Sequence, residues 1–164
     1  MDLLEVKNRI AEAMVESIFR RARYSLIPVG EGAIPGASVR VGREELLAPH
    51  MRVRRETDDQ VIDLPLSVKY RLHIDQYLAI ENQRGPKSIF KMAWRQWPEM
   101  RFIFLSERPD KGRSCFQVVP PSQAGEAEIQ TVDLADEPQL QIFKHDVEDH
   151  EELVRRIFLL LAGG

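Results

Sequence analysis

The chain has 164 residues and a formal net charge of -3 at pH 7, with 43% hydrophobic and 30% charged residues. These values are typical of a soluble globular domain, and they argue against wholesale coating by nucleic acid while allowing a local basic patch. Cys115 is the only cysteine, which excludes an internal disulfide, and no apolar run approaches the roughly 20 residues of a membrane-spanning helix. We expect one domain over residues 1–164, with a core at about 1–119 and a C-terminal loop and helix at 120–164, in the cytoplasm and without membrane contact.

The first half of the chain predicts a helix followed by strands. Apolar residues recur at helical spacing near the start, and the helix should end near residues 21–23. The segments YSLIPVG and MRVRR are strand-like, and the glycines and proline of residues 30–48 predict a loop between them.

The second half predicts a helix, a hairpin and a final helix. In KSIFKMAWRQW, apolar residues at Ile89, Ala93 and Trp97 make one helical face that ends before Pro98. MRFIFLSE and SCFQVVP flank the turn-rich RPDKGR, which predicts two strands joined in a hairpin. Residues 120–139 predict a loop with one strand at EIQTVDL, and the last helix has an apolar face of Val147, Val154, Ile157, Phe158 and Leu161.

The segment LSVKYRLHIDQYLAIENQ, residues 66–83, allows two interpretations. In one, a strand precedes a short helix with a thin apolar stripe. In the other, two strands pair as a hairpin that turns at residues 74–76, so that Lys69 faces Glu81 and Ser67 faces Gln83. We favour the hairpin, because this register keeps apolar and polar faces apart and a slip of one residue would mix them.

In the hairpin interpretation, YLAIENQRG is a strand that carries Glu81-Asn82-Gln83 just ahead of the helix KSIFKMAWRQW. Together with the order of elements up to Ser106, this resembles the PD-(D/E)XK nuclease superfamily. Its members share a core of helix, three-stranded meander, helix and strand. They carry an Asp at the start of the second strand and an (Asp/Glu)-x-Lys triplet on the third. The resemblance makes Asp63 the first choice for that Asp and Asp59 the second choice. Gln83 stands where the triplet usually has lysine.

A rival alignment takes SVKYR as the triplet strand. Lys69 then matches the family's lysine, and Ser67 replaces the acidic residue, a loss that usually removes a metal ligand. In either alignment the resemblance implies an α+β fold with a restriction-endonuclease-like core, in which helices flank a mixed β-sheet.

The resemblance also implies a metal-dependent, nuclease-like phosphodiester hydrolase that acts on nucleic acid; DNA is the expected partner, and the sequence leaves the choice between DNA and RNA open. Mg²⁺ or Mn²⁺ would lower the pKa of the attacking water and neutralise charge on the phosphate. Asp63 and Glu81 would bind the metal through carboxylate oxygens, with the Gln83 carbonyl completing the shell. From the hairpin register alone, we infer that Lys69 supplies the positive charge missing from the triplet.

Other charged residues extend this expected site. Superfamily members often recruit an acid from the first helix, and Glu12 or Glu16, which lie one turn apart, would be that further metal ligand. The densest basic region follows the triplet, and a phosphate-binding patch fits Arg84, Lys87, Lys91 and Arg95. We assign Trp97 to the core and leave Trp94 open to base stacking.

Two further function classes stay open. Ser67 and Gln83 both fit a degenerate member of the superfamily that binds nucleic acid or a protein partner without cutting. The other class is an unrelated α+β interaction protein, in which Lys69 and Glu81 form a structural ion pair. A homodimer is compatible with each of the three classes.

Overall fold

A computed structural model describes residues 2–29, 40–41, 44–45, 48–120 and 128–163. The helices are α1 (Leu3–Arg21), α2 (Ile74–Gln83), α3 (Ile89–Gln96) and α4 (Lys144–Gly163). The strands are β1 (Ser25–Pro28), β2 (Arg40–Val41), β3 (Glu44–Glu45), β4 (Met51–Glu56), β5 (Val61–Tyr70), β6 (Arg101–Leu105), β7 (Phe116–Val119) and β8 (Val132–Asp133). Short 3-10 turns span Gly85–Lys87 and Leu134–Asp136.

Six of these strands form one mixed sheet in the order β1-β4-β5-β6-β7-β8. Neighbouring strands are antiparallel except β5 and β6, which are parallel. The chain crosses from β5 to β6 through α2 and α3, because parallel neighbours need a long connection. β2 and β3 form a separate antiparallel pair. The fold is therefore α+β with a mixed sheet, as the sequence predicts.

Helices cover both faces of the sheet, because successive side chains of a strand point to opposite sides. Ile103 and Leu105 of β6 belong to one apolar core, to which α1 and α4 contribute. Phe102 and Phe104 of the same strand belong to a second core, formed with α2 and α3. The sheet thus lies between two helical layers, α1 with α4 and α2 with α3.

Most of the predicted elements are confirmed. α1 ends at Arg21, β1 lies within the strand-like segment YSLIPVG, β4 covers MRVRR and extends to Glu56, and β6 and β7 form the expected hairpin. The strand expected at EIQTVDL is present but short, as β8. α4 buries Val147, Val154 and Phe158 of its predicted face. The predicted loop at residues 30–48 lies largely outside the described residues. None of the described helices has the length and apolar content needed to cross a bilayer.

The predicted hairpin at residues 66–83 is wrong. β5 ends at Tyr70 and residues 74–83 form α2. The hairpin is instead made by β4 and β5, and its turn is closed by the Thr57 N–H, which donates to the Gln60 carbonyl at 2.9 Å. Residues 74–83 are helical because Ile74 and Leu78, one turn apart, are both buried in the second core.

Candidate functional site

Asp63 is not at the start of the second strand of the meander β1-β4-β5. It lies on β5, the third strand, directly opposite Arg54 of β4. Its carboxylate accepts hydrogen bonds from Arg52 at 2.6 Å and from Arg54 at 3.1 Å, with 30% of the side chain exposed. Asp59, the second choice for this role, lies in the turn between β4 and β5. The Asp63 carboxylate is thus paired with two arginines, and its assignment as the signature Asp is wrong.

Glu81 lies in the last turn of α2 rather than on a strand, and it is only 4% exposed. Its carboxylate accepts the Ile89 backbone N–H at 3.0 Å and pairs with Arg84 at 3.3 Å. Ile89 is the first residue of α3, so the carboxylate lies at a helix N-terminus, where a negative charge is favourable. Glu81 therefore connects the end of α2 to the start of α3, and its contacts are structural.

The rest of the Glu81-Asn82-Gln83 triplet is also outside any strand. Asn82 accepts the Ile129 N–H at 2.7 Å and donates to the Ile129 carbonyl at 3.0 Å, which holds residues 128–131 against α2. Gln83 is the last residue of α2 and is exposed. The triplet is therefore a helix end, and Gln83 does not occupy the third-strand position expected of it.

Lys69 does lie on the third strand, but it is not opposite Glu81. On β5 it is in register with Phe104 of β6, and it makes no ion pair with any described residue. Val68 belongs to the core shared with α1 and α4, so by strand alternation Ser67 and Lys69 face the side of α2 and α3. Ser67 is 1% exposed, and its hydroxyl has no hydrogen-bond partner in the structure. Of the two alignments, only Ser67-Val68-Lys69 is on the third strand.

His50 immediately precedes β4, the second strand of the meander, where the resemblance implies an Asp. The His50 N–H donates to the Leu66 carbonyl at 2.6 Å, which sets His50 beside the triplet strand. Its ring contacts the two α1 acids: Nδ1 is 3.5 Å from Glu12 and Nε2 is 3.3 Å from Glu16. Glu12 and Glu16 therefore contact an imidazole at the start of β4, whereas the sequence predicts that one of them joins Asp63 and Glu81 as a metal ligand.

The residues at these positions do not fit a Mg²⁺ site. Mg²⁺ prefers carboxylate and other oxygen ligands, whereas the two positions at which the resemblance implies acids hold His50 and Ser67. Glu12 and Glu16 are already in contact with the His50 ring. Among the residues that the structure describes, no group of three or more His, Cys, Asp or Glu side chains is arranged to bind a metal ion. We therefore derive no chemical step through a metal.

The basic residues after α2 divide into two kinds. Arg84 pairs with the buried Glu81, so part of its charge is neutralised. Lys87, in the 3-10 turn, and Lys91 and Arg95, on α3, make no ion pair with any described residue. We name these last three residues the basic stripe. Arg95 also donates to the Pro86 carbonyl at 3.4 Å, which keeps its guanidinium close to the turn that carries Lys87.

Sequence reasoning missed His50. The available signal is its place directly before the strand-like MRVRR, where the resemblance implies an acid. A search restricted to acidic residues could not find it, because an imidazole stands in place of a carboxylate. The contact with Glu12 and Glu16 depends on how α1 packs against the sheet, which no local pattern reveals.

Comparisons with protein-family models, with curated proteins and with solved structures gave no match to this chain.

Proposed function

We propose that this chain is a nucleic-acid-binding protein on a PD-(D/E)XK-like scaffold, and that it binds without metal-dependent cleavage. The main support for the proposal is the basic stripe. Its three cations follow one another at intervals of four residues and form no ion pair with any described residue. Cations that lack acidic partners are available to phosphates, and each phosphate contact releases counterions from the nucleic acid.

The order of elements supports the scaffold part of the proposal. α1 is followed by the meander β1-β4-β5, then by α2 and α3, and then by β6. This is the superfamily's order of helix, three strands, helix and strand, with the pair β2-β3 inserted between the first two strands of the meander. Lys69 on the third strand agrees with the lysine of the triplet.

The residues at the two acid positions support the absence of cleavage. An imidazole at residue 50 and a hydroxyl at residue 67 provide neither of the carboxylates that would bind a hard divalent cation there. Without such a cation, the attacking water keeps its high pKa and the charge on the phosphate is not neutralised.

The test combines a binding assay with a cleavage assay on DNA and RNA, with and without Mg²⁺ or Mn²⁺. We expect binding, with no cleavage under any of these conditions. The variant Lys87→Gln/Lys91→Gln/Arg95→Gln should lose most of the affinity. A matched control, Arg9→Gln/Lys111→Gln/Lys144→Gln, also neutralises three cations that have no ion pair among the described residues and should keep the affinity within a few-fold.

Other outcomes would contradict specific parts of the proposal. Cleavage that needs Mg²⁺ or Mn²⁺ and disappears in Lys69→Met would show an active hydrolase that uses the triplet lysine. Equal losses of affinity in the two triple variants would mean that net charge, rather than the basic stripe, governs binding. Absence of both binding and cleavage would favour the unrelated interaction protein.

A further inference from the structure

The surroundings of the basic stripe restrict the form of nucleic acid that fits it, an inference that rests on the proposed function. Lys91 and Arg95 are one turn apart on α3, about 6 Å along its axis, and Lys87 precedes them in the 3-10 turn. Lys87 and Arg95 are exposed and Lys91 is half-buried, so the stripe faces outward from this turn and from α3. A row of cations of this kind can contact several phosphates of one backbone.

None of the aromatic rings near the stripe is free to stack on a base. Phe90 is fully buried and Trp97 is 9% exposed. The Trp94 indole N–H donates to the Met100 carbonyl at 3.0 Å, and its ring packs edge-on against Phe102 with centroids 5.3 Å apart.

Tyr77, the remaining aromatic residue of segment 74–97, packs edge-on against Phe90 and Phe104, with centroids 5.9 and 5.7 Å away. Every residue of this segment is described, and all four of its aromatic side chains are buried or half-buried. The surface therefore offers charge without a stacking platform, and Trp94 is not available for the stacking role that the sequence left open.

We infer that the basic stripe recognises the phosphate backbone of a double-stranded nucleic acid, independently of base sequence, in preference to a single strand. Binding of single strands draws on base stacking worth about 1–3 kcal/mol per base, which this surface does not provide. Each phosphate contact also releases more counterions from a duplex than from a single strand, since the log–log salt slope is about -0.9 per contact against about -0.7.

The experiment measures the affinity of the full chain for a short DNA duplex, for each of its separated strands, and for a second duplex of unrelated sequence. We expect the duplexes to bind equally well and more tightly than the strands. For three phosphate contacts, the duplex affinity should fall with a log–log salt slope of about -2.7, which is about 40-fold between 50 and 200 mM salt. Trp94 and Trp97 are the only tryptophans, so their fluorescence should stay unchanged on binding.

Several results would overturn this inference while leaving the proposed function intact. These are equal or tighter binding to a single strand, a strong preference between the two duplexes, or quenching of tryptophan fluorescence on binding. In Lys91→Gln the salt slope should become shallower by about 0.9, and an unchanged slope would remove Lys91 from the contact. Failure to bind any of the probes would instead refute the proposed function itself.

Discussion

Replacement of Glu81 by alanine should destabilise the fold without acting on any chemistry. The variant loses the carboxylate that accepts the Ile89 N–H at 3.0 Å, and a hydrogen bond to a charged group contributes about 1.5–3 kcal/mol. The ion pair with Arg84 adds less than about 1 kcal/mol, because 35% of the arginine side chain is exposed. Alanine has a higher helix propensity, which recovers about 0.5 kcal/mol. We expect the free energy of unfolding to fall by about 1–3.5 kcal/mol.

The measurement is urea unfolding at pH 7 of the parent and three variants. Glu81→Gln keeps an acceptor for the Ile89 N–H and should lose about 1 kcal/mol, less than Glu81→Ala. Gln83→Ala, two residues along α2 at an exposed position, is the matched control and should stay within about 0.5 kcal/mol of the parent. A Glu81→Ala variant as stable as the control would refute the assignment of Glu81 as the link between α2 and α3.

Three other predictions test separate parts of the structure. Burial raises the pKa of the Cys115 thiol to about 12, so a thiol reagent should label the native protein only as fast as it unfolds; rapid labelling at pH 7 would contradict this burial. A hydrogen bond with Asp110 raises the pKa of Asp75, so this pair's contribution to stability is present at acid pH and is lost as the pH rises through the raised value. Asp110→Asn should therefore gain stability over the parent at pH 7 and lose this advantage towards pH 4 in urea unfolding, and a difference independent of pH would refute the coupling. The double variant His50→Asp/Ser67→Glu places carboxylates where the resemblance implies acids, so it should bind Mn²⁺ in calorimetry whereas the parent should not. A folded double variant that does not bind Mn²⁺ would count against the PD-(D/E)XK resemblance.

The failure of the predicted hairpin has an identifiable cause. Residues 66–72 alternate apolar and polar side chains, and this pattern correctly indicates the end of β5. The hairpin prediction extends this two-residue alternation through residues 74–83, although Ile74 and Leu78 also fit the spacing of a helix. A short segment supports both periods, and the choice is made by the surface that covers it. Here residues 74–83 form a helix that packs into the second core, because the chain between the parallel strands β5 and β6 must cross one face of the sheet.

That error propagated into the candidate site. With residues 74–83 in a helix, Lys69 and Glu81 cannot be cross-strand partners, and Asp63 falls on the third strand of the meander. The alternative triplet, Ser67 to Lys69, lacks an acid, whereas Glu81 matches the acid of the triplet only if residues 74–83 form a strand.

Elements whose patterns are long or locally closed follow from the sequence alone. The nineteen residues of α1 and the twenty of α4 carry enough apolar repeats to exclude a strand, and RPDKGR confines β6 and β7 to a hairpin. The basic stripe is likewise visible in the sequence, because its members are close neighbours on one short segment. Such features depend on contacts between residues a few positions apart.

The partners of the charged groups depend on how the helices and strands pack together. Glu12 and Glu16 contact His50 because α1 packs beside the start of β4, and Asp63 pairs with Arg52 because β4 and β5 are adjacent. Glu81 accepts the Ile89 N–H because the turn between α2 and α3 brings the two together. A carboxylate has the same intrinsic chemistry in all three places, and the distance to its nearest donor determines whether it is structural or free to act. That distance is set by packing between segments that are remote in the sequence.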